Sequence, residues 1–400
     1  MPLTKSHLEG YADALIWGLL KSRTGRFRKG DIILIRYDSS ATGLLEILYD
    51  KLLDRGMHVI PRAGLSARME RSFFEKTNGR QLVFLPPGER ELYGALNGSI
   101  YLHAPESLTH LKDADPKKIA KAVIARKSLR EVLDRREAAG RFGWTLCTVP
   151  TMELARNAHL TIDEYTDQII KGCFLDSESP ASRWENVYRQ AGAIKKWLNS
   201  MAVSYYHVES DTVDLRIRPG KRRRWIGVSG HNIPSFELFL SPDWRGTEGR
   251  YFANQPSFRS GNYVEGIRLV FEKGRAVKVE AASGEDFAAG QLSMDRGAGR
   301  VGEFSLTDRR FSRIDRFMAD TLFDENYGGE WGNCHIALGA SYADTYDGDP
   351  TELTKEMKRN LGFNDSALHW DLVNTERKVV RARLLTGKTV TIYENGVFCR

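Results

Sequence analysis

Between residues 11 and 102 short apolar runs alternate with segments of helical spacing, and this alternation limits the fold more than any other feature. Residues 11–20 carry apolar side chains at helical spacing. Asp31-Ile32-Ile33-Leu34-Ile35-Arg36 then gives the continuous apolar run of a strand covered on both faces. Residues 42–53 return to helical spacing and close at Gly56, a helix-stop residue. His58-Val59-Ile60 opens another strand, residues 67–75 another helix, and residues 81–85 and 99–102 two further strands. Strands alternating with helices build a mainly parallel, doubly wound sheet. The first turn lacks the G-x-G-x-x-G spacing, so no dinucleotide site is expected there.

The pattern changes near residue 200. Before it come a charged helix over residues 116–139, with Pro116 in its first turn, and helices over 161–170 and 182–201. After it come short strands over 205–213, 214–217, 225–228, 236–240, 263–272 and 276–280, broken by Gly, Pro and Asp. Glu272-Lys273-Gly274-Arg275 is a hairpin turn between the last two. A chain of 400 residues exceeds one ordinary core. We expect two domains of mixed α/β and α+β class. Residues 1–200 form an amino-terminal α/β domain with a helical extension, serving access or dimerisation. Residues 201–400 form a carboxy-terminal β-rich domain that holds the chemistry.

Composition excludes several function classes. With 28% charged and 41% hydrophobic residues the chain is globular rather than disordered. No run of about 18 apolar residues offers a membrane span. The first ten residues include Glu9 and lack the apolar core of a signal peptide. Cys147, Cys173, Cys334 and Cys399 show no C-x-x-C pairing, which fits reduced thiols in the cytoplasm. The net charge of +7 is dispersed. Its one dense run, Lys221-Arg222-Arg223-Arg224, follows the turn signal Pro219-Gly220 without a nucleic-acid motif, so a loop is expected and nucleic acid is not.

Chemistry concentrates towards the carboxy terminus. In His369-Trp370-Asp371 an extended backbone turns His369 and Asp371 to one side and Trp370 to the other. Glu237 follows Phe236 and precedes Leu238 and Phe239, and a carboxylate buried there would need a partner. Glu303 in Gly302-Glu303-Phe304 poses the same choice between a partnered site and a solvated strand face. His335 lies in apolar Cys334-His335-Ile336-Ala337-Leu338-Gly339, where a satisfied core histidine is the plain alternative. Two Glu, two His and one Asp are the donors that a pair of catalytic divalent ions uses.

The ordered set Asn232-Ile233-Pro234 with Glu237, Val301-Gly302-Glu303, Leu322-Phe323-Asp324-Glu325-Asn326, His335 to Gly339 and His369-Trp370-Asp371 resembles one enzyme family. It is that of the dinuclear metallo-aminopeptidases that include aminopeptidase T, aminopeptidase S and PepS. The likeness extends to Val264-Glu265-Gly266, Phe271-Glu272-Lys273-Gly274 and, near the start, Tyr11-Ala12-Asp13 and Gly30-Asp31-Ile32-Ile33-Leu34. The resemblance implies that Glu237, Glu303, His335, His369 and Asp371 hold two divalent ions, zinc, cobalt or manganese. It implies peptide substrates with a free amino terminus, Tyr342 beside the metals, and a homodimer. Glu303 is then metal ligand, proton carrier or both, and Tyr342 a donor to the developing oxyanion. Asp324 and Glu325 would orient ligand histidines. His231 either contacts substrate or ends a strand in a loop. Two departures stand out, Ser235-Phe236 ahead of Glu237 and a glycine-rich insert over residues 327–334. The same donors also suit another dinuclear hydrolase such as a phosphoesterase, and the basic run suits a non-enzymatic polyanion binder.

Overall fold

The computed structural model describes residues 3–400. They fall into two compact units: the first runs to Tyr188 and takes in Val228–Ser235 and Met318–Leu322, and the second holds the remainder.

In the first unit the strands Ile32–Tyr37, His58–Ala63, Gly98–His103, Gly143–Thr148 and Asn232–Ile233 form one sheet. All four pairings are parallel, with Ile32–Tyr37 between His58–Ala63 and Gly98–His103. Ile33, Leu34 and Ile35 are buried in succession, as a strand covered on both faces requires. The helix Lys5–Ser22 starts at Thr4, whose hydroxyl accepts from the His7 N–H at 3.2 Å while His7 Nδ1 takes the Thr4 N–H. It buries Tyr11, Leu15 and Leu19. The helices Thr42–Asp54, Ala67–Lys76 and Pro116–Ala138 follow the expected spacing.

One expected strand is absent. Residues 81–85 do not pair; Gly79–Leu82 is a helical turn instead. The cause is a capping box: Asn78 Oδ1 accepts from the Arg80 and Gln81 N–H groups, and Gln81 Oε1 accepts from the Asn78 N–H at 2.9 Å. Val83 and Phe84, which made the run apolar, stay largely exposed.

The second unit stacks two antiparallel sheets. One has eight strands, in the order Arg275–Glu280, Ile267–Glu272, Thr247–Ala253, Asp214–Ile217, Val203–Glu209, Val379–Leu384, Thr389–Glu394 and Val397–Phe398. The strand expected over 263–272 is divided, Asn262–Val264 and Ile267–Glu272, because Gly266 breaks it with φ of +66°. The other sheet has the order His369–Asn374, Asn333–Gly339, Val301–Thr307, Glu237–Leu240 and Ile226–Gly227. Between the sheets lie Phe304, Leu306, Ile336 and Leu372, all buried. Tyr206 and Trp225 set their rings 5.9 and 5.6 Å from that of Phe304. Tyr251 Oη reaches Leu372 O at 2.7 Å, so the aromatic layer also fixes one sheet against the other.

The basic run is built into this unit. Arg222 donates to Asp347 O, Arg224 to Asp344 O, and Arg223 to Ser241 O and Leu361 O. The Arg223 guanidinium also lies 3.3 Å from the centre of the Phe363 ring. The guanidinium groups of Arg222, Arg223 and Arg224 thus brace neighbouring loops, although Lys221, Arg222 and Arg224 remain exposed.

Candidate metal centre

Strand register collects the site. Directly paired residues in a sheet share a face, and so do residues two apart along a strand. Ala337 pairs with Glu303 on one side and with Asp371 on the other. Ser305 pairs with His335, Gly339 with His369, and Thr307 with Glu237. Glu237, Glu303, Ser305, His335, His369 and Asp371 therefore stand on one face of four adjacent strands. The alternate residues form the apolar layer described above.

Glycines permit the close fit. The pairing between Val301–Thr307 and Asn333–Gly339 shifts register at Gly302. A Cβ on Gly302 would lie 2.3 Å from the Gly339 and Ala340 carbonyl oxygens. Gly339 itself has φ of +107°, with Leu368 O 2.1 Å from where its Cβ would be. A larger residue at Gly302 would push the strand of Glu303 from that of His335, and one at Gly339 would displace the start of the strand of His369.

His335 Nε2 lies 3.2 Å from both Glu237 Oε2 and Glu303 Oε1. His369 Nε2 lies 3.8 Å from Glu303 Oε2 and 3.4 Å from Asp371 Oδ1. The two glutamate oxygens thus face different histidines. Among the described residues donor atoms fall into three groups within 4.8 Å: Glu237, Glu303 and His335; Glu303, His369 and Asp371; and Glu325, His335 and Asp371. Glu303 is common to the first two. His369 Nδ1 lies 3.1 Å from Ala340 O, which suits a proton on Nδ1 and turns Nε2 towards the carboxylates.

The electrostatics call for a cation. Burial pushes the Glu237 and Glu303 carboxyls up to about 8, against the pull of His335 on the first and of His369 on the second. Burial would raise Asp371 as well, but His369, His335 and Arg259 outweigh it and hold that acid down to about 2. The ion pairs of Glu237 and Glu303 are with imidazoles alone. Buried carboxylates of this kind are stable when they coordinate metal. The oxygen and nitrogen donors fit divalent ions of the zinc, cobalt and manganese type without a thiolate.

All five expected ligand residues thus lie together. Tyr342 is beside them, its ring centre 4.7 Å from that of His369 and 5.9 Å from that of Phe239. Glu325, read from sequence as an orienting group, stands among the donors themselves. Asp324 is buried nearby in sequence but belongs to none of the three groups. His231 is elsewhere, in the first unit, with Nε2 2.8 Å from Glu137 and its ring against Trp144. Across the glycine-rich insert, Asn333 Nδ2 donates to Glu325 O and Tyr327 O. Those bonds tie both ends of the insert back to the strand that carries His335. Two residues went unread in the sequence. Ser305 donates to Glu237 Oε2 at 2.9 Å, and Arg259 donates to His369 O at 2.7 Å.

Residues 4–398 match the family described as Thermophilic metalloprotease (M29). The chain belongs to that family. Among its relatives, aminopeptidase AmpS of Bacillus subtilis is 27% identical over 266 residues, 64% of this chain and 62% of that protein. Aminopeptidase T of Thermus aquaticus is 31% identical over 240 residues, 57% of each chain. Aminopeptidase 2 of Geobacillus stearothermophilus is 28% identical over 316 residues, 74% of each. The chain thus spans less than two thirds of the length of the first two relatives. The solved structure of wild-type AmpT from Thermus thermophilus shares the fold, with a TM-score of 0.80 at 22% identity over 99% of this chain and all of that one. Membership in a metalloprotease family accords with the carboxylate and imidazole cluster just described.

Proposed function

We propose that this member of the metalloprotease family is a metal-dependent aminopeptidase that hydrolyses the amino-terminal peptide bond of peptides. One observation carries the reading: Glu303 belongs at once to the Glu237–His335 group and to the His369–Asp371 group, on a buried sheet face. A carboxylate shared in this way would be placed to serve two ions. The names of the aminopeptidase relatives support the choice of peptide over phosphoester.

In this reading Glu237, Glu303 and His335 hold one ion, and Glu303, His369 and Asp371 the other. Zinc, cobalt and manganese all suit the donors. Divalent ions held by these residues would supply Lewis acidity, which polarises a carbonyl and lowers the pKa of bound water. Glu303 takes the proton from the attacking water and passes it to the leaving amine. Tyr342, set edge-on to the His369 ring, would donate a hydrogen bond from its hydroxyl to the oxyanion. The surplus of carboxylates receives the substrate's free ammonium group, which makes the enzyme an exopeptidase. We further take the protein to work in the cytoplasm as a homodimer, with the amino-terminal domain of about 200 residues serving peptide access or dimerisation. The free state of all four cysteines supports a reducing compartment.

Chelation followed by metal add-back on amino-acyl chromogenic substrates tests the activity. Hydrolysis should vanish and return with zinc, cobalt or manganese, and acetylating the substrate amine should block it. Equal turnover of acetylated peptide, or activity that survives chelation, would exclude the assignment.

A further inference from the structure

Glu237 and Glu303 are both buried, but their surroundings differ in one donor. The Ser305 hydroxyl, itself 0% exposed, donates to Glu237 Oε2 at 2.9 Å. Its alternative acceptor, Leu238 O, is more distant at 3.4 Å. Glu303 has no such hydroxyl; its side-chain partners are the two imidazoles. This difference grows when an ion is bound. An imidazole nitrogen that coordinates a cation has no proton left to donate. His335 Nε2 then stops being a donor to Glu237, and the Ser305 hydroxyl remains the side-chain donor on that carboxylate.

We propose that Ser305 is a positioning residue that orients Glu237 for the ion held with His335, and so sets the affinity of that ion independently of the ion held by His369 and Asp371. The proposal rests on the two-ion reading above. Its geometry follows from register: Ser305 is two residues beyond Glu303 and pairs with His335, so its hydroxyl rises from the floor of the first donor group. The second group contains no atom within this bond. A hydroxyl bonded to a ligating carboxylate holds the ligand's orientation and disfavours its protonation, and loss of such a partner commonly weakens a metal site by about 10–100-fold.

The experiment titrates chelated full-length protein with zinc, and separately with cobalt, against a competing chromophoric chelator. The unmodified protein should bind two ions in resolvable steps. Ser305→Ala should weaken one step by about 10–100-fold, leave the other in place and perturb part of the cobalt absorption spectrum. Ser305→Ala added to Glu237→Ala should weaken binding no further, because the acceptor of the hydroxyl is already gone. Matching melting curves of the chelated proteins would show that the fold is intact; if Ser305→Ala melts early, Ser305→Cys, which keeps the volume but donates only weakly, takes its place and should weaken the same step. Two unchanged steps in Ser305→Ala, or two steps weakened alike, would overturn the proposal. An unmodified protein that binds fewer than two ions would instead strike the two-ion reading, and the proposal with it.

Discussion

Replacing Glu303 by Gln should make the chelated protein more stable while destroying its activity. The side chain is 3% exposed, and burial raises its carboxyl to about 8 from an ordinary 4.5. An acid whose folded value is raised contributes stability that is complete below the unfolded value and is lost as pH climbs to the folded one. At roughly 1.4 kcal/mol per pH unit, the interval from 4.5 to 8 corresponds to at most about 5 kcal/mol. Glu237 shares the same cation-poor pocket, so the two acids divide part of that cost. Gln keeps the shape and has no proton to lose. The variant should match the unmodified protein near pH 4.5 and exceed it progressively up to pH 8. Melting of both proteins in excess chelator across that range measures the difference, which should reach several degrees at about 2–4 °C per kcal/mol.

Added metal should reverse the order. Ligand binding to the folded state stabilises it by mass action, and the unmodified protein retains both oxygens of the shared carboxylate. Gln offers one carbonyl oxygen and an amide that cannot ligate in its place. Hydrolysis by Glu303→Gln should fall to background. Identical pH profiles for the chelated proteins would refute the burial argument. A kcat near that of the unmodified enzyme would refute both roles given to Glu303.

Three other substitutions probe neighbouring links. Tyr342→Phe keeps the ring against His369 and removes only the hydroxyl, so metal content should hold while kcat falls by about 10²–10³; an unchanged kcat would remove Tyr342 from the reaction. Arg259→Met frees the His369 carbonyl and so loosens the residue that presents the imidazole, and should weaken the ion at His369 and Asp371 by about tenfold in the same titration; tighter binding would show that relief of charge repulsion prevails. Lys378 is 2% exposed, and burial lowers its ammonium to about 8. Its charge therefore costs stability below pH 8, a cost that disappears as pH approaches 10.5. Lys378→Met should raise the melting temperature at pH 7, by up to about 3 kcal/mol in stability, and lose that advantage near pH 10.5; a lower melting temperature at pH 7 would show that its bond to Glu376 O outweighs the burial cost.

Much of the fold was legible because the parallel sheet of the first unit leaves a strong local signature. Ile33, Leu34 and Ile35 are apolar in sequence for the same reason that they are buried in space. The failure at residues 81–85 is equally local. Val83 and Phe84 look like strand residues, but the amides of Asn78 to Gln81 have nearer partners in a capping box. Within the site, His369 and Asp371 were readable as a pair because period two is a property of one strand. The grouping of Glu237 with His335, and of Glu303 with both histidines, depends on register across four strands. Glu325 precedes a loop whose path no local rule gives, so its place among the donors could not be read. Ser305 gave no signal, since a serine on a strand is ordinary until its neighbours are known.

The strands Val301–Thr307 and Asn333–Gly339 show why this face suits cations. In an antiparallel strand, polar residues at alternate positions usually mark the side open to water. Here every residue of both strands is buried, so Glu303 and His335 are covered as completely as Phe304 and Ile336. The acids lose hydration on folding, and imidazoles repay only part of it. A divalent ion would supply the missing charge at the point where two carboxylates and two imidazoles converge. The fold therefore carries an electrostatic deficit in the free protein that would become binding energy for bound ions. This links the chelated variant's expected gain in stability to its loss of metal: one carboxylate produces both effects, and they should change together as pH is raised.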